Sequence, residues 1–133
     1  MKKSVIAVDR IAVLDLVGYQ RVSDQSVTLS SSINWQPVSI RVPARLTVSE
    51  KMSDGVRLYT AQLDFHTCST PGDLSRQAYR LTLADGQQLL LGSPARPFPV
   101  GTATENHPDN LQDSQLWQVS VAWTTPAPVP QLL

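Results

Sequence analysis

The two histidines and the single cysteine are the residues whose types could support chemistry. His66 and Cys68 form an H-x-C pair, and alternate residues of a strand point to the same face, so both could contact one metal ion. A zinc site needs three or four ligands, and the other histidine, His107, is distant in sequence, near Glu105 and Asp109. We predict instead that His66 ends a strand, that Cys68 is a small buried thiol, and that no metal site exists.

Nucleophilic catalysis by Cys68 with His66 or His107 has little support in the sequence. Nothing indicates an oxyanion hole or a third group that would orient the histidine. The tripeptide "HPD" at 107–109 is similar to that of J-domains, where it lies between two helices, but here its surroundings are proline-rich and flanked by strands. No phosphate-binding glycine loop is present. We therefore expect no catalytic residues, no cofactor-binding residues, no cofactor and no enzymatic activity.

Length and charge limit the classes of protein that the chain can represent. Its 133 residues are typical of one domain with its own core. The net charge is zero, which predicts neither a nucleic-acid partner nor a membrane partner. Residues 1–60 carry eight Lys/Arg and five Asp/Glu, whereas 61–133 carry three and six. This asymmetry either complements a neighbouring copy or, in the interpretation we favour, cancels across one compact surface.

Cysteine usage and the N-terminus predict a compartment. A lone cysteine cannot form an intrachain disulfide, which fits a reducing environment. The first residues begin like a signal peptide, but Asp9 and Arg10 interrupt the apolar run after five residues, and a secretory segment needs about 7–15. The sequence therefore predicts a soluble cytoplasmic protein.

Alternating patterns predict strands from residue 26 onward. The clearest segments are "PVSIRVPARLTVS", "VRLYTAQLDFHT" and "LWQVSVAWTT". In the first, Pro43 has no N–H, so that strand lies at an edge or breaks near Pro43. In the last, Trp117 and Trp123 alternate with valines, which favours the core.

The stretch "YRLTLADGQQLLLG" predicts a hairpin whose register depends on its turn. A two-residue Asp-Gly loop would split the leucines between both faces. A three-residue loop with Gly86 at positive φ places Leu81 opposite Leu89 and Tyr79 opposite Leu91. Burial of one apolar face selects this register. The other, mixed face carries Arg80, Thr82, Gln88 and Leu90.

The first 25 residues fit two descriptions. Their Val and Ile content favours a strand, whereas the lack of turn residues before Gly18 allows a helix. We favour a helix, or a helix followed by a strand. The predicted fold class is mainly β: a single-domain antiparallel sandwich or partly open barrel of five or six strands, with or without an N-terminal helix.

Two proline-rich segments remain. Residues 92–115 form a long segment without clear periodicity, which predicts a functional or disordered loop. Residues 1–125 are the predicted β-rich domain, and 126–133 are an extended proline-rich tail. The segment 92–115 and the tail 126–133 hold the apolar and proline residues that we expect to bind a partner: Pro97, Phe98, Pro99, Val129, Leu132 and Leu133. They pack either on a second subunit or on their own sheet.

The hairpin "YRLTLADGQQLLLG", the run "ARPFPV" after it, the long polar loop and the extended tail together span about half of the chain. In these features the chain resembles small virion or tail-associated proteins of tailed phages and prophages. The resemblance implies a virion-associated role but assigns no function to any residue.

Two functions follow from these observations. The first is a non-enzymatic structural or assembly protein, of prophage origin if the resemblance holds, which docks on a protein partner through loop 92–115 and the tail, either as a homo-oligomer or in a larger assembly. The second is a small-ligand or carbohydrate-binding module that uses an exposed Trp35 and the mixed face of the hairpin.

Overall fold

The computed structural model describes residues 2–23, 26–30, 33–38, 40–67, 74, 76–94, 98–106, 116–126 and 129–132. The described residues form a mainly β fold, as predicted. Its strands are β1 (Lys2–Ala12), β2 (Gln20–Ser23), β3 (Ser26–Thr28), β4 (Gln36–Val38), β5 (Arg41–Ser53), β6 (Val56–Thr67), β7 (Gln77–Leu83), β8 (Gln88–Leu91), β9 (Val100–Asn106), β10 (Leu116–Thr125) and β11 (Gln131–Leu132). Five or six strands were expected, and the difference comes mostly from strands of two to four residues, which are too short to show an alternating pattern.

All described strands belong to one sheet. Its order is β2-β3-β11-β8-β7-β1-β5-β6-β10-β9, and β4 pairs separately with β1. Neighbours are antiparallel except β11 and β3, which are parallel. The two ends, β2 and β9, do not pair with each other, so the sheet is not closed into a barrel. Within the described part of the chain, no helix is long and apolar enough to cross a membrane.

The predicted N-terminal helix is wrong. Lys2–Ala12 is a strand that pairs with both β5 and β7, and the helical turn that follows it is a short 3-10 turn at Val13–Asp15. The pairing with β7 shifts register between Val5 and Ala7. Val5 and Val8 are consequently both buried, although they are three residues apart. This bulge breaks the period of two and hid the strand in the sequence.

β5 lies inside the sheet, between β1 and β6. The expectation that Pro43 marks an edge strand is therefore wrong. The alternative, an interruption near Pro43, agrees with the register shift between Arg41 and Arg45 in the pairing with β6. Such irregularities allow a residue without an N–H to occur within a sheet.

The hairpin of β7 and β8 has the predicted register. Tyr79 pairs with Leu91, and Leu81 pairs with Leu89. The turn is closed by the Gly86 N–H, which donates to the Leu83 carbonyl at 3.0 Å, and Gly86 has a φ of +90°. A glycine is needed here because a left-handed backbone strains residues that carry a Cβ.

The main core lies on one face of the sheet. It unites buried side chains of several strands: Val5, Val8, Ala44, Leu46, Ala61, Leu63, Phe65, Tyr79, Leu81, Leu83, Leu89, Leu91, Val119, Val121 and Trp123. Since this face is buried from β8 to β10, the sheet must curl over itself. That architecture is consistent with the predicted sandwich or partly open barrel.

A second core covers the opposite face of the hairpin. It contains Ile11, Val13, Leu16, Val27, Ala78 and Leu90. Leu90 belongs to the face that we described as mixed, and it is fully buried because the chain between β1 and β4, together with β11, packs over it. The hairpin is therefore covered on both faces.

Candidate functional site

The residues proposed for metal binding or catalysis are not brought together among the described residues. His66 lies near the end of β6, is exposed, and pairs in register with Gln118. Cys68 and His107 lie outside the described residues. Where the structure is described, it contains no cluster of three or more His, Cys, Asp or Glu side chains suited to a metal ion.

The residues predicted to bind a partner lie against the chain's own cores where they are described. Phe98 is half-buried against the second core, with the Arg76 guanidinium carbon 5.9 Å from its ring centre. Pro99 is buried. Pro97 lies outside the described residues. Phe98 and Pro99 are therefore packed within this chain, and their role in partner binding stays a prediction.

The C-terminal tail is integrated into the sheet. The Leu90 N–H donates to the Pro130 carbonyl at 3.0 Å, and Gln131 pairs with Leu89. Val129 packs against the main core, and Leu132 packs against the second. Leu133 lies outside the described residues. These contacts correspond to the alternative in which the tail packs on its own sheet.

The face of β1 and β7 that points away from the main core carries an ion pair in contact with an aromatic ring. Arg80 donates through Nε and Nη2 to Asp9 Oδ2, at 3.1 and 2.9 Å, and both side chains are partly buried. The Arg80 guanidinium carbon lies 4.9 Å from the centre of the Trp35 ring. Trp35 is half-buried against the second core rather than exposed. A cation–π contact therefore occupies one face of the ring that the carbohydrate hypothesis needed.

A cleft of about 690 Å³ opens at the C-terminal end of β1. Its lining consists of Arg10, Ile11, Ala12, Asp15, Val17, Ile33, Asn34, Gln36 and Gln77. Its volume falls within the usual range for small-molecule sites, but its many amide groups make it more polar than most. With Arg10 and Asp15 beside these amides, the arrangement could hydrogen-bond a small polar molecule.

The outer edge of β9 is the second candidate site. β9 has seven residues and pairs with β10 from Asn106 to Val100 without a register shift. No described residue pairs with its other edge. Thr102 and Thr104 are exposed, and Val100 is 65% exposed. Gly101 admits the Leu74 side chain on the inner face, where a Cβ at residue 101 would lie 2.9 Å from the Leu74 Cβ.

The strands behind β9 form a regular platform. β10 pairs with β6 over nine consecutive residues. Two side-chain hydrogen bonds cross this pair on the outer face: Ser120 Oγ donates to Asp64 Oδ1 at 2.6 Å, and the hydroxyls of Thr60 and Thr124 lie 3.1 Å apart. These contacts help to fix β10 against β6, and β10 in turn positions β9.

The opposite end of the sheet, β2, is protected. It has four residues, all exposed, and includes the charged Arg21. Its pairing with β3 shifts register between Arg21 and Ser23. A short length, a charge and a bulge are devices by which edge strands avoid pairing with other chains. β9 contains no Lys, Arg or Pro, and its pairing with β10 contains no bulge.

Our expectation that residues 92–115 lack regular structure is wrong for Val100–Asn106, which is β9. The missed signal was the alternation of β-branched Val100, Thr102 and Thr104. The prolines on the N-terminal side of this stretch obscured it.

Comparison with known proteins found no protein family, no curated protein and no solved structure that matches this chain.

Proposed function

We propose that this protein is a non-enzymatic assembly component that docks on a protein partner by adding a strand at the outer edge of β9. The observation that carries the proposal is the unprotected edge of a seven-residue strand, which no described residue pairs with. An edge of this kind offers a row of unpaired N–H and C=O groups, and main-chain hydrogen bonds to them supply affinity in strand addition.

In this proposal the partner binds within the segment 92–115, and the tail is no longer a main docking segment. Val129 and Leu132 already contact this subunit's cores, so removing them from those contacts would cost stability. β9 needs no such rearrangement, because the described residues leave its outer edge open. The resemblance of the sequence to small virion or tail-associated proteins is compatible with docking at this edge and remains part of the proposal.

Fluorescently labelled full chain, sedimented in an extract of the cells that produce it, tests the proposal. We expect the wild-type chain to sediment as a complex. The variant T102K/T104K should sediment as a monomer, because two lysines at an edge oppose pairing. The matched control Q20K/V22K adds the same charge to exposed positions of β2 and should leave the complex intact. A complex that survives T102K/T104K would show that the proposal is wrong, and so would a wild-type chain that is monomeric both in the extract and as the purified protein at about 1 mM.

A second candidate function is the binding of a small polar ligand, and the cleft lined by Asn34, Gln36 and Gln77 favours it. It ranks below assembly because Trp35, on which the carbohydrate hypothesis relied, does not line this cleft and is in contact with Arg80 instead. A chain that remains monomeric both in the extract and as the purified protein at about 1 mM would favour this function, since a ligand-binding module needs no protein partner.

A further inference from the structure

We infer that the strand added to β9 is β9 of a second copy of this chain, paired antiparallel about a two-fold axis at Ala103. The inference rests on the proposed function and names its partner. In this register Thr102 faces Thr104 of the other copy, and Gly101 faces Glu105. The contact is isologous, so it closes as a dimer and does not continue as a fibre.

Hydrogen bonding is compatible with this register. Along an antiparallel strand, alternate residues direct their N–H and C=O groups to one neighbour, and the remaining residues direct theirs to the other side. About Ala103, facing positions are always an even number of residues apart. Whenever a residue of one copy directs its groups outward, the facing residue of the other copy does so too. Every outward donor therefore meets an acceptor.

The residue types also suit self-pairing. Thr102 and Thr104 both lie on the outer face, and threonine pairs across strands are favourable. Glu105 is the only charged residue of β9, and its register position falls opposite Gly101, not opposite another Glu105. The whole chain has no net charge, so two copies approach without long-range repulsion.

The two-fold axis stands perpendicular to the sheet and so joins like faces. The outer face of β10 beside β9 is polar at Gln118 and Ser120, and pairing would continue this polar surface into the second copy. Each copy presents its edge from the regular β6–β10 platform, so little ordering is needed on association. The contact is small beside a standard interface of about 1,600 Å², and we expect a weak, concentration-dependent dimer.

Sedimentation of the purified chain from about 1 μM to about 1 mM tests the inference. The wild-type chain should form a reversible dimer. T102K/T104K places like charges opposite each other twice, which should raise the dissociation constant about tenfold. T102K/T104E instead places a lysine of each copy opposite a glutamate of the other, so its dimer should persist and weaken with added salt. Q20K/V22K should dimerise like the wild-type chain.

Three results would overturn self-pairing. They are a wild-type monomer over the whole range, a dimer weakened equally by Q20K/V22K, and a T102K/T104E chain as monomeric as T102K/T104K. The four positions are exposed, and thermal unfolding of each variant verifies that it folds. A purified chain that is monomeric, but whose complex in the extract depends on β9, would refute the second copy as partner and leave strand addition standing.

Discussion

The two ends of this sheet are built differently. The β2 end is short and bulged, and β11 connects it to the hairpin by pairing with both β3 and β8. The β9 end is a long, regular strand that pairs, among the described strands, with β10 alone. Among the described residues, the irregular devices thus lie at one edge, and the other edge is left without a paired strand. An open edge is informative when the same sheet protects its other edge.

The two ends of the sheet also contribute unequally to the stability of the fold. Val27 of β3 and Leu90 of β8 are fully buried in the second core, so the β2 end contributes to folding stability. On β9, Thr102, Ala103 and Thr104 are exposed, so their side chains contribute little to the stability of the isolated chain. Changes at the first end should therefore alter unfolding, and changes at the second should alter association.

The largest expected effect is that of deleting residues 126–133. Deletion removes β11 and the Pro130 carbonyl that the Leu90 N–H contacts, and it uncovers Val27 and Leu90. Exposing apolar side chains of this size costs about 1.5–3 kcal/mol for each one. We expect the free energy of unfolding, measured in urea, to fall by about 3 kcal/mol.

The matched comparison for this deletion is T102K/T104K, which should change the free energy of unfolding by less than about 0.5 kcal/mol. If both variants lose similar stability, the contrast between the two ends fails. If the truncated chain is as stable as the full chain but loses its complex, the tail is a docking segment, as the sequence first indicated.

A smaller effect is expected for Gly86→Val in the turn of the β7–β8 hairpin. Gly86 has a φ of +90°, and nothing lies within 4 Å of a Cβ added there. The cost is therefore backbone strain alone, which for a β-branched residue we put at about 1–2 kcal/mol. Thr104→Val, an exposed substitution on β9, is the control and should be nearly neutral. Equal stability of the two variants in urea would contradict the left-handed turn.

The hairpin shows how much of this fold could be predicted. Its register follows from two local facts: a glycine that permits one turn, and leucines that must share one face. β1 was missed because its bulge at Val5 and Ala7 breaks the alternation on which the prediction relied. The burial of Leu90 was also not predicted, because it depends on segments that are distant in sequence.

The edge of β9 was not predicted from the sequence. The sequence predicted docking through the segment 92–115 and the tail, which stays a prediction. It did not predict that β9 lies at the edge of the sheet, because an edge is a property of strand order. No pattern in "VGTATEN" indicates that β10 lies on one side of β9 and that no described strand lies on the other. The cleft beside Gln36 was missed for the same reason, since its lining comes from three separate segments.

The smallest expected effect concerns a polar group in the interior. The Tyr79 hydroxyl is buried and has no hydrogen-bond partner among the described residues, whereas Thr102 and Thr104 on β9 are exposed to water. An unsatisfied buried hydroxyl is costly, so Tyr79→Phe should raise the free energy of unfolding by about 1 kcal/mol. Thr104→Val, which removes an exposed hydroxyl, should not. A loss of stability in Tyr79→Phe would mean that the hydroxyl is bonded.

The pH dependence of stability provides a second test of the buried Tyr79 hydroxyl. Burial raises the pKa of Tyr79 above its ordinary value of 10.0, and the nearby Arg10 acts in the opposite direction. The folded chain therefore keeps this proton at a pH where the unfolded chain has released it, and the free energy of unfolding falls as pH rises above about 10. Tyr79→Phe lacks the group, so its stability should fall less between about pH 9 and pH 11. Parallel urea unfolding curves at the two pH values measure the difference, and equal losses in both proteins would show that the hydroxyl titrates as it does in water.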